Sequence, residues 1–177
     1  MKEHSSLKIE SIDKSTDNTL KIYLGDLTYN TVTLATEAFP LNVSYIGSYC
    51  KKLFGSNVNI TLFKYIDEIE KAVIDNPPDI LGLSNYCWSH NVSYEIFKLC
   101  KEKNPNAITV WGGPNIPMDS PSQIKFMKRY PSVDVYIPTE GEIGFANTVQ
   151  LVSNSNSKEN IFELPIYFIL SFIITFT

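Results

Sequence analysis

Asp79-Ile80-Leu81-Gly82-Leu83-Ser84 is a short, almost continuous apolar run. That is how a central parallel strand buried on both faces reads. Pro77-Pro78 stands before it, and Val92, Ile96, Leu99 and Cys100 follow at helical spacing. The strand-then-helix succession repeats outward in both directions. Upstream, Leu20–Leu24 reads as a first strand ended by Gly25. Pro40 opens a helix with Leu41, Tyr45, Tyr49 and Leu53 on one face, and Gly55 ends it. In Val58–Phe63, Val58, Ile60 and Leu62 alternate with Asn59 and Thr61, so one face is polar, as on an edge strand. Ile66, Ile69 and Val73 then mark a second helix, which Pro77-Pro78 terminates.

Downstream, the third helix runs from about Val92 to Lys103 and stops at Asn104-Pro105. Ile108–Trp111 is a fourth strand, ending in Gly112-Gly113-Pro114. Ser120 is placed to cap the next helix, Pro121 to fill its first position and Gln123 to complete a capping box. Pro131 closes that element and Val133–Ile137 is the fifth strand. A last helix begins near Glu142 and buries Ile143, Ala146 and Val149. Such alternation predicts a doubly wound α/β domain with a five-stranded parallel sheet. The polar second strand at an edge selects the flavodoxin-like order 2-1-3-4-5.

Residues 19–152 make up this domain. Residues 1–18 are polar, without an apolar secretory core, and read as a disordered leader. Residues 153–160, opening with Ser-Asn-Ser-Asn-Ser, read as a linker. The hydrophobic tail, 161–177, is shorter than the roughly 20 apolar residues of a spanning helix and contains Glu163 and Pro165. It reads as the truncated start of a missing domain or a reading-frame artefact, with a membrane anchor the weaker alternative. Across the 177 residues, 44% hydrophobic and 19% charged residues indicate a globular chain. A net charge of -4 without a basic stripe argues against nucleic acid as a partner. Cys50, Cys87 and Cys100 are odd in number and widely spaced. That disfavours disulfides and structural zinc and points to a reducing, cytoplasmic setting.

In such a sheet, ligands bind beyond the carboxyl ends of the strands, at the switch point between strands one and three. The loops there hold the candidates Thr28 and Tyr29; Ser84, Asn85, Tyr86 and Trp88; Gly112, Gly113 and Pro114; and Thr139, Glu140, Gly141 and Glu142. Gly112 and Gly113 remove side chains where something large must approach. Ser84 offers a hydroxyl at the end of a buried strand, Tyr86 and Trp88 can wall a slot, and Glu140 and Glu142 suit a helix start. Each has a plainer reading as a turn, filler, sheet cover or cap. Their shared position on one sheet edge is what makes the set specific.

Asp79–Ser84, Trp111-Gly112-Gly113-Pro114 and Asp134-Val135-Tyr136-Ile137 leading to Glu140-Gly141-Glu142 together resemble the cobalamin-binding domain of cobalamin-dependent radical SAM proteins, over roughly Leu20–Val152. The resemblance implies that Ser84 and Gly112-Gly113 line the slot for the nucleotide tail of the cofactor. It implies base-off cobalamin as the cofactor and a separate or missing radical SAM domain as the partner. The better-known members carry Asp-x-His-x-x-Gly after strand one, whose histidine ligates cobalt. Here Asp26-Leu27-Thr28 has threonine at that position, so no histidine ligand is expected from this loop. His90 is the remaining weak candidate for a cobalt ligand, with a surface histidine as the default. The three cysteines cannot form the Cys-x-x-x-Cys-x-x-Cys cluster of a radical SAM domain. No iron–sulfur cluster and no activity of the chain alone are therefore expected.

Other classes fit less well. A phosphoacceptor receiver needs an aspartate where Ser84-Asn85 stands. A flavodoxin-like flavin-binding electron carrier would use the loop Thr28–Thr33, which lacks a glycine to let N–H groups converge. No Gly-x-Gly-x-x-Gly supports a dinucleotide site. A non-functional truncated remnant of a longer enzyme would share the same fold.

Overall fold

The computed structural model describes residues 19–28, 39–138 and 141–154. The expected leader, the linker beyond residue 154 and the hydrophobic tail lie outside the described residues. The elements are β1 (Leu20–Thr28), α1 (Leu41–Phe54), β2 (Val58–Tyr65), α2 (Ile66–Asp75), β3 (Ile80–Ser84), α3 (His90–Lys103), β4 (Ile108–Gly112), α4 (Ser120–Arg129), β5 (Val135–Ile137) and α5 (Gly141–Asn154). Every strand pairing is parallel, in the order β2-β1-β3-β4-β5. The predicted topology is the observed one, and β3 is buried at all five positions.

Alternation along the strands splits the core in two. One side holds Ile22, Leu24, Ile80, Ile108 and Val110, packed beneath α1 and α5. The other holds Leu81, Leu83, Trp111 and Tyr136, packed beneath α2, α3 and α4. Cys50 and Cys100 are fully buried, one on each side, and burial pushes both thiols up to about 12. Cys87 is exposed. Among the described residues, no helix is long and apolar enough to cross a membrane.

Several boundaries and faces differ from the sequence expectation. β1 does not end at Gly25. It continues to Thr28 through a register shift against β2, which carries Asp26 to the sheet edge. The buried face of α1 is Val43, Gly47, Cys50 and Phe54, whereas Leu41 and Tyr45 are exposed. Small residues set that face, because the helix lies close on β1 and β2: a Cβ on Gly47 would already touch Leu62, Ile60 and Leu24. In α3 the inner positions are Ser93, Ile96, Phe97 and Cys100, with Val92 and Leu99 only partly covered. Asp119, not Ser120, caps α4, its carboxylate accepting from the Ser122 N–H at 2.9 Å. That bond lowers its pKa. Gln123 donates to the Pro117 carbonyl and completes no capping box. Ile143 of α5 is exposed, while Phe145, Ala146, Val149 and Val152 are buried. This helix also runs two residues into the expected linker, to Asn154.

Away from the ligand edge, Asp134 joins β4 to α3. It accepts from Lys101 Nζ at 2.6 Å, the Thr109 N–H at 2.8 Å and Thr109 Oγ1 at 2.9 Å. Breaking a largely buried pair strands the remaining charge. Asp134→Ala is therefore expected to lower the unfolding free energy by about 3 kcal/mol in urea titrations, with the secondary-structure signal of the native state unchanged.

Candidate functional site

Parallel register builds the site. Leu24 lies opposite Gly82, Gly82 opposite Val110, and Ser84 opposite Gly112. These positions share the face beneath α1 and α5, and they line a cavity of about 230 Å³ at the carboxyl ends of the strands. Asn42, Val43 and Ile46 of α1 form one wall. Gly141, Glu142 and Phe145 of α5 form the other, and Tyr86 stands at the mouth.

The glycines have distinct jobs. A Cβ on Gly82 would come within 2.7 Å of both Leu24 and Phe145, so this glycine lets Phe145 settle onto the sheet. Gly113 has φ 128°, and a Cβ there would lie 2.9 Å from the Asn85 carbonyl oxygen. Backbone geometry demands it. Gly112 is different: its φ is ordinary for a strand, and a Cβ would meet only the Ile137 carbonyl oxygen, at 3.7 Å. Neither packing nor backbone requires glycine at this position, and a side chain there would project into the cavity.

Of the residues expected at the site, Ser84, Tyr86, Gly112, Gly113, Gly141 and Glu142 line the cavity together. Ser84 lines the cavity and donates its hydroxyl proton to Asp26 Oδ1, which leaves its oxygen to act as an acceptor. Tyr86 accepts from Asn42 Nδ2 at 2.9 Å, a bond that ties α1 to the β3–α3 loop. Its ring stacks on Trp88 at 4.7 Å, but Trp88 itself is exposed and outside the cavity. Thr28 and the exposed Pro114 also lie off the lining. Tyr29, Thr139 and Glu140 are outside the described residues.

Asn85 is fully buried on the opposite side of the sheet and contacts no cavity space. Its amide binds Tyr136, Asn115 and His90. His90 is also on that side, stacked on Trp111 at 4.5 Å, with Nδ1 2.9 Å from Asn85 Oδ1 and Nε2 2.8 Å from the Tyr130 hydroxyl. Both ring nitrogens are engaged by protein groups, so the ring is not presented as a cobalt ligand. Among the described residues, no cluster of three or more His, Cys, Asp or Glu side chains is arranged to hold a metal ion.

Asp26, Asn42, Ile46 and Phe145 belong to the site but were not singled out from sequence. Asn42 had a usable signal. In a parallel βα sheet the helix amino termini face the same edge as the strand carboxyl termini, so the first turn of each helix is a candidate lining.

Comparison with known proteins bears on the family and the fold. The family model described as the B12 binding domain matches residues 28–149. The chain belongs to the B12-binding domain family. Over 80 residues it is 38% identical to the cobalamin-dependent radical SAM methyltransferase TokK of Streptomyces tokunonensis, covering 45% of this chain and 11% of that protein. The structure of the cobalamin-dependent S-adenosylmethionine radical enzyme OxsB with aqua-cobalamin bound superimposes with TM-score 0.57 at 23% identity, over 78% of this chain and 19% of OxsB. A cobalamin-binding protein from Desulfitobacterium hafniense gives TM-score 0.53 at 14% identity, over 75% of this chain and 58% of that one. Both solved structures share the fold. The matched stretches of this chain thus span only about a tenth of TokK and a fifth of OxsB.

Two outcomes follow from the site. Gly113→Ala should cost about 1–3 kcal/mol of stability, because it forces a side chain into a left-handed backbone. Gly112→Ala should stay within about 0.5 kcal/mol of the parent. Urea unfolding of the two variants measures the contrast.

Burial lowers the His90 pKa from its ordinary 6.5. The neutral form is therefore the one that folding favours. Its contribution to stability is complete above the unfolded-state pKa and is lost as pH falls through the lower folded-state value. The unfolding free energy of the parent should accordingly drop more steeply below pH 6.5 than that of His90→Asn, when both are measured across the same pH series.

Proposed function

We propose that this B12-binding domain holds cobalamin base-off, with the nucleotide tail in the cavity above Gly112, as the cofactor module of a radical SAM type enzyme whose catalytic domain lies outside this chain. The carrying observation is the glycine at 112, which the fold does not need and the cavity does. The cavity's 230 Å³ is below the ~300–1,000 Å³ of clefts that enclose a whole drug-sized ligand. It suits an appended base and sugar, with the bulk of a tetrapyrrole left outside. Apolar walls from Leu24, Val110 and Phe145 fit a flat heteroaromatic base.

The protein's own groups would act as follows. Ser84, whose hydroxyl already donates to Asp26, accepts a hydrogen bond from the ligand. Glu142 at the start of α5 accepts from ligand amides. Asn42 and Tyr86 hold the mouth at fixed width. Thr28 stands where other members have a cobalt-ligating histidine, so this loop supplies no imidazole to the metal. Bound cobalamin supplies cobalt-centred methyl or radical chemistry, and the domain supplies position and environment. The names of TokK and OxsB support the pairing with a radical SAM catalytic domain, which would also carry the iron–sulfur cluster. By itself the chain binds and does not turn over.

Calorimetry and absorption spectroscopy with hydroxocobalamin and flavin mononucleotide, in separate titrations, test the reading. Hydroxocobalamin should bind and flavin should not. Gly112→Val should lower the affinity at least tenfold, about 1.4 kcal/mol, while its urea midpoint stays near that of the parent. In the cobalt(II) form, electron paramagnetic resonance should show no superhyperfine splitting from an axial nitrogen. Flavin binding alone would move the assignment to an electron carrier, and binding of neither would leave a non-functional remnant.

A further inference from the structure

On the side of the sheet away from the cavity, a chain of polar side chains ends on the cavity's own floor. The Gly113 carbonyl accepts from the Tyr136 hydroxyl at 2.9 Å. A main-chain carbonyl can only accept, so the single proton of Tyr136 is committed to it. Tyr136 must therefore accept from Asn85 Nδ2, 2.9 Å away. This fixes the Asn85 amide with Oδ1 toward His90, at 2.9 Å from Nδ1. His90 then carries its proton on Nδ1, and Nε2 accepts from the Tyr130 hydroxyl at 2.8 Å. Asn115 fixes the same Asn85 orientation, its carbonyl accepting from Asn85 Nδ2 at 3.1 Å and its own amide donating to Asn85 Oδ1 at 3.2 Å, so every donor and acceptor from Tyr130 to Gly113 has one assignment. Asn85 is also tied by its backbone, its N–H donating to the Gly112 carbonyl at 2.6 Å.

We propose that Tyr136, Asn85 and His90 are positioning residues for the cofactor slot, holding Gly113, and with it Gly112, in place from the opposite side of the sheet. Their surroundings suit the task. Asn85 is fully buried and Tyr136 nearly so. The ring of His90 is clamped between Trp111, Phe126 and Tyr130. A network satisfied at each member, its Asn85 and Tyr136 end buried and its His90 and Tyr130 end partly so, favours one geometry. Gly113, in a left-handed conformation next to an unencumbered Gly112, is the segment that needs such a restraint. The inference rests on the cofactor reading for its consequence in binding, but not for the coupling itself.

The test uses the full chain with Tyr136→Phe, His90→Phe, the double variant, and His90→Asn, which keeps an N–H toward Asn85. Two readouts are taken: hydroxocobalamin affinity, and the carbonyl carbon resonance of Gly113 without cobalamin. Each Phe variant should weaken binding by about fivefold, as expected for one lost hydrogen bond, and the double variant should lose no more than the worse single one. His90→Asn should restore most of the affinity. The Gly113 resonance should move in His90→Phe, although His90 does not touch Gly113. Losses that multiply in the double variant, or a Gly113 resonance indifferent to His90→Phe, would overturn the relay. If the parent binds no hydroxocobalamin while the resonance still responds, the relay stands and the cofactor reading alone fails.

Discussion

Parallel pairing fixes which residues can look at one another across the sheet, and that constraint makes the cavity. Once β3 is centred between β1 and β4, Leu24, Gly82, Ser84, Val110 and Gly112 must share one face near the carboxyl edge. Two of the five are glycine. Gly82 lets Phe145 descend to the sheet and form a wall. Gly112 leaves the space beside that wall empty. Helices α1 and α5 cover this side and present their first turns to the same edge, so the opening is bounded by Ser84, the glycines and the helix starts, with Tyr86 beside them.

The two sides of the sheet carry different kinds of packing. Beneath α1 and α5 the core is largely aliphatic, with Phe54 and Phe145 as its buried phenylalanines, and it is on this side that room remains. Beneath α2, α3 and α4 it is dense and aromatic, built around a fully buried Trp111 with His90, Phe97, Phe126, Tyr130 and Tyr136 near it. A rigid, polar-threaded layer behind an open one is a sound arrangement for a binding module. In the proposed reading the open side receives the ligand, and the dense side keeps the loop ends from shifting. Gly113 is where they meet, since its amide donates to the Ile137 carbonyl and its own carbonyl accepts from Tyr136.

The topology was legible because strand burial leaves a strong mark. The unbroken apolar run at Asp79–Ser84 and the alternation at Val58–Phe63 placed one strand in the centre and another at the edge, as observed. Helix faces were less legible. On α1, large apolar residues pointed to Leu41 and Tyr45, but close approach selected Val43, Gly47 and Cys50, which periodicity of bulk does not reveal. On the site itself, Ser84, Tyr86, Gly112, Gly113, Gly141 and Glu142 were readable from their place at strand ends. Asn85 and Trp88 were not separable from them, because neighbours in a loop face opposite ways. Asp26 was hidden by the register shift that prolongs β1 past Gly25. Phe145 was hidden because its role depends on Gly82 of β3, five elements earlier in the chain.

The claim on which everything turns is spatial: the cofactor's tail enters between the sheet and α1/α5, above Gly112. A crystal structure of this chain with cobalamin tests it most directly. The account predicts electron density for the base against Gly82, Val110 and Phe145, with Ser84 within hydrogen-bonding distance. Density for the base outside this cavity, or a bound cobalamin whose base remains on the cobalt, would contradict it.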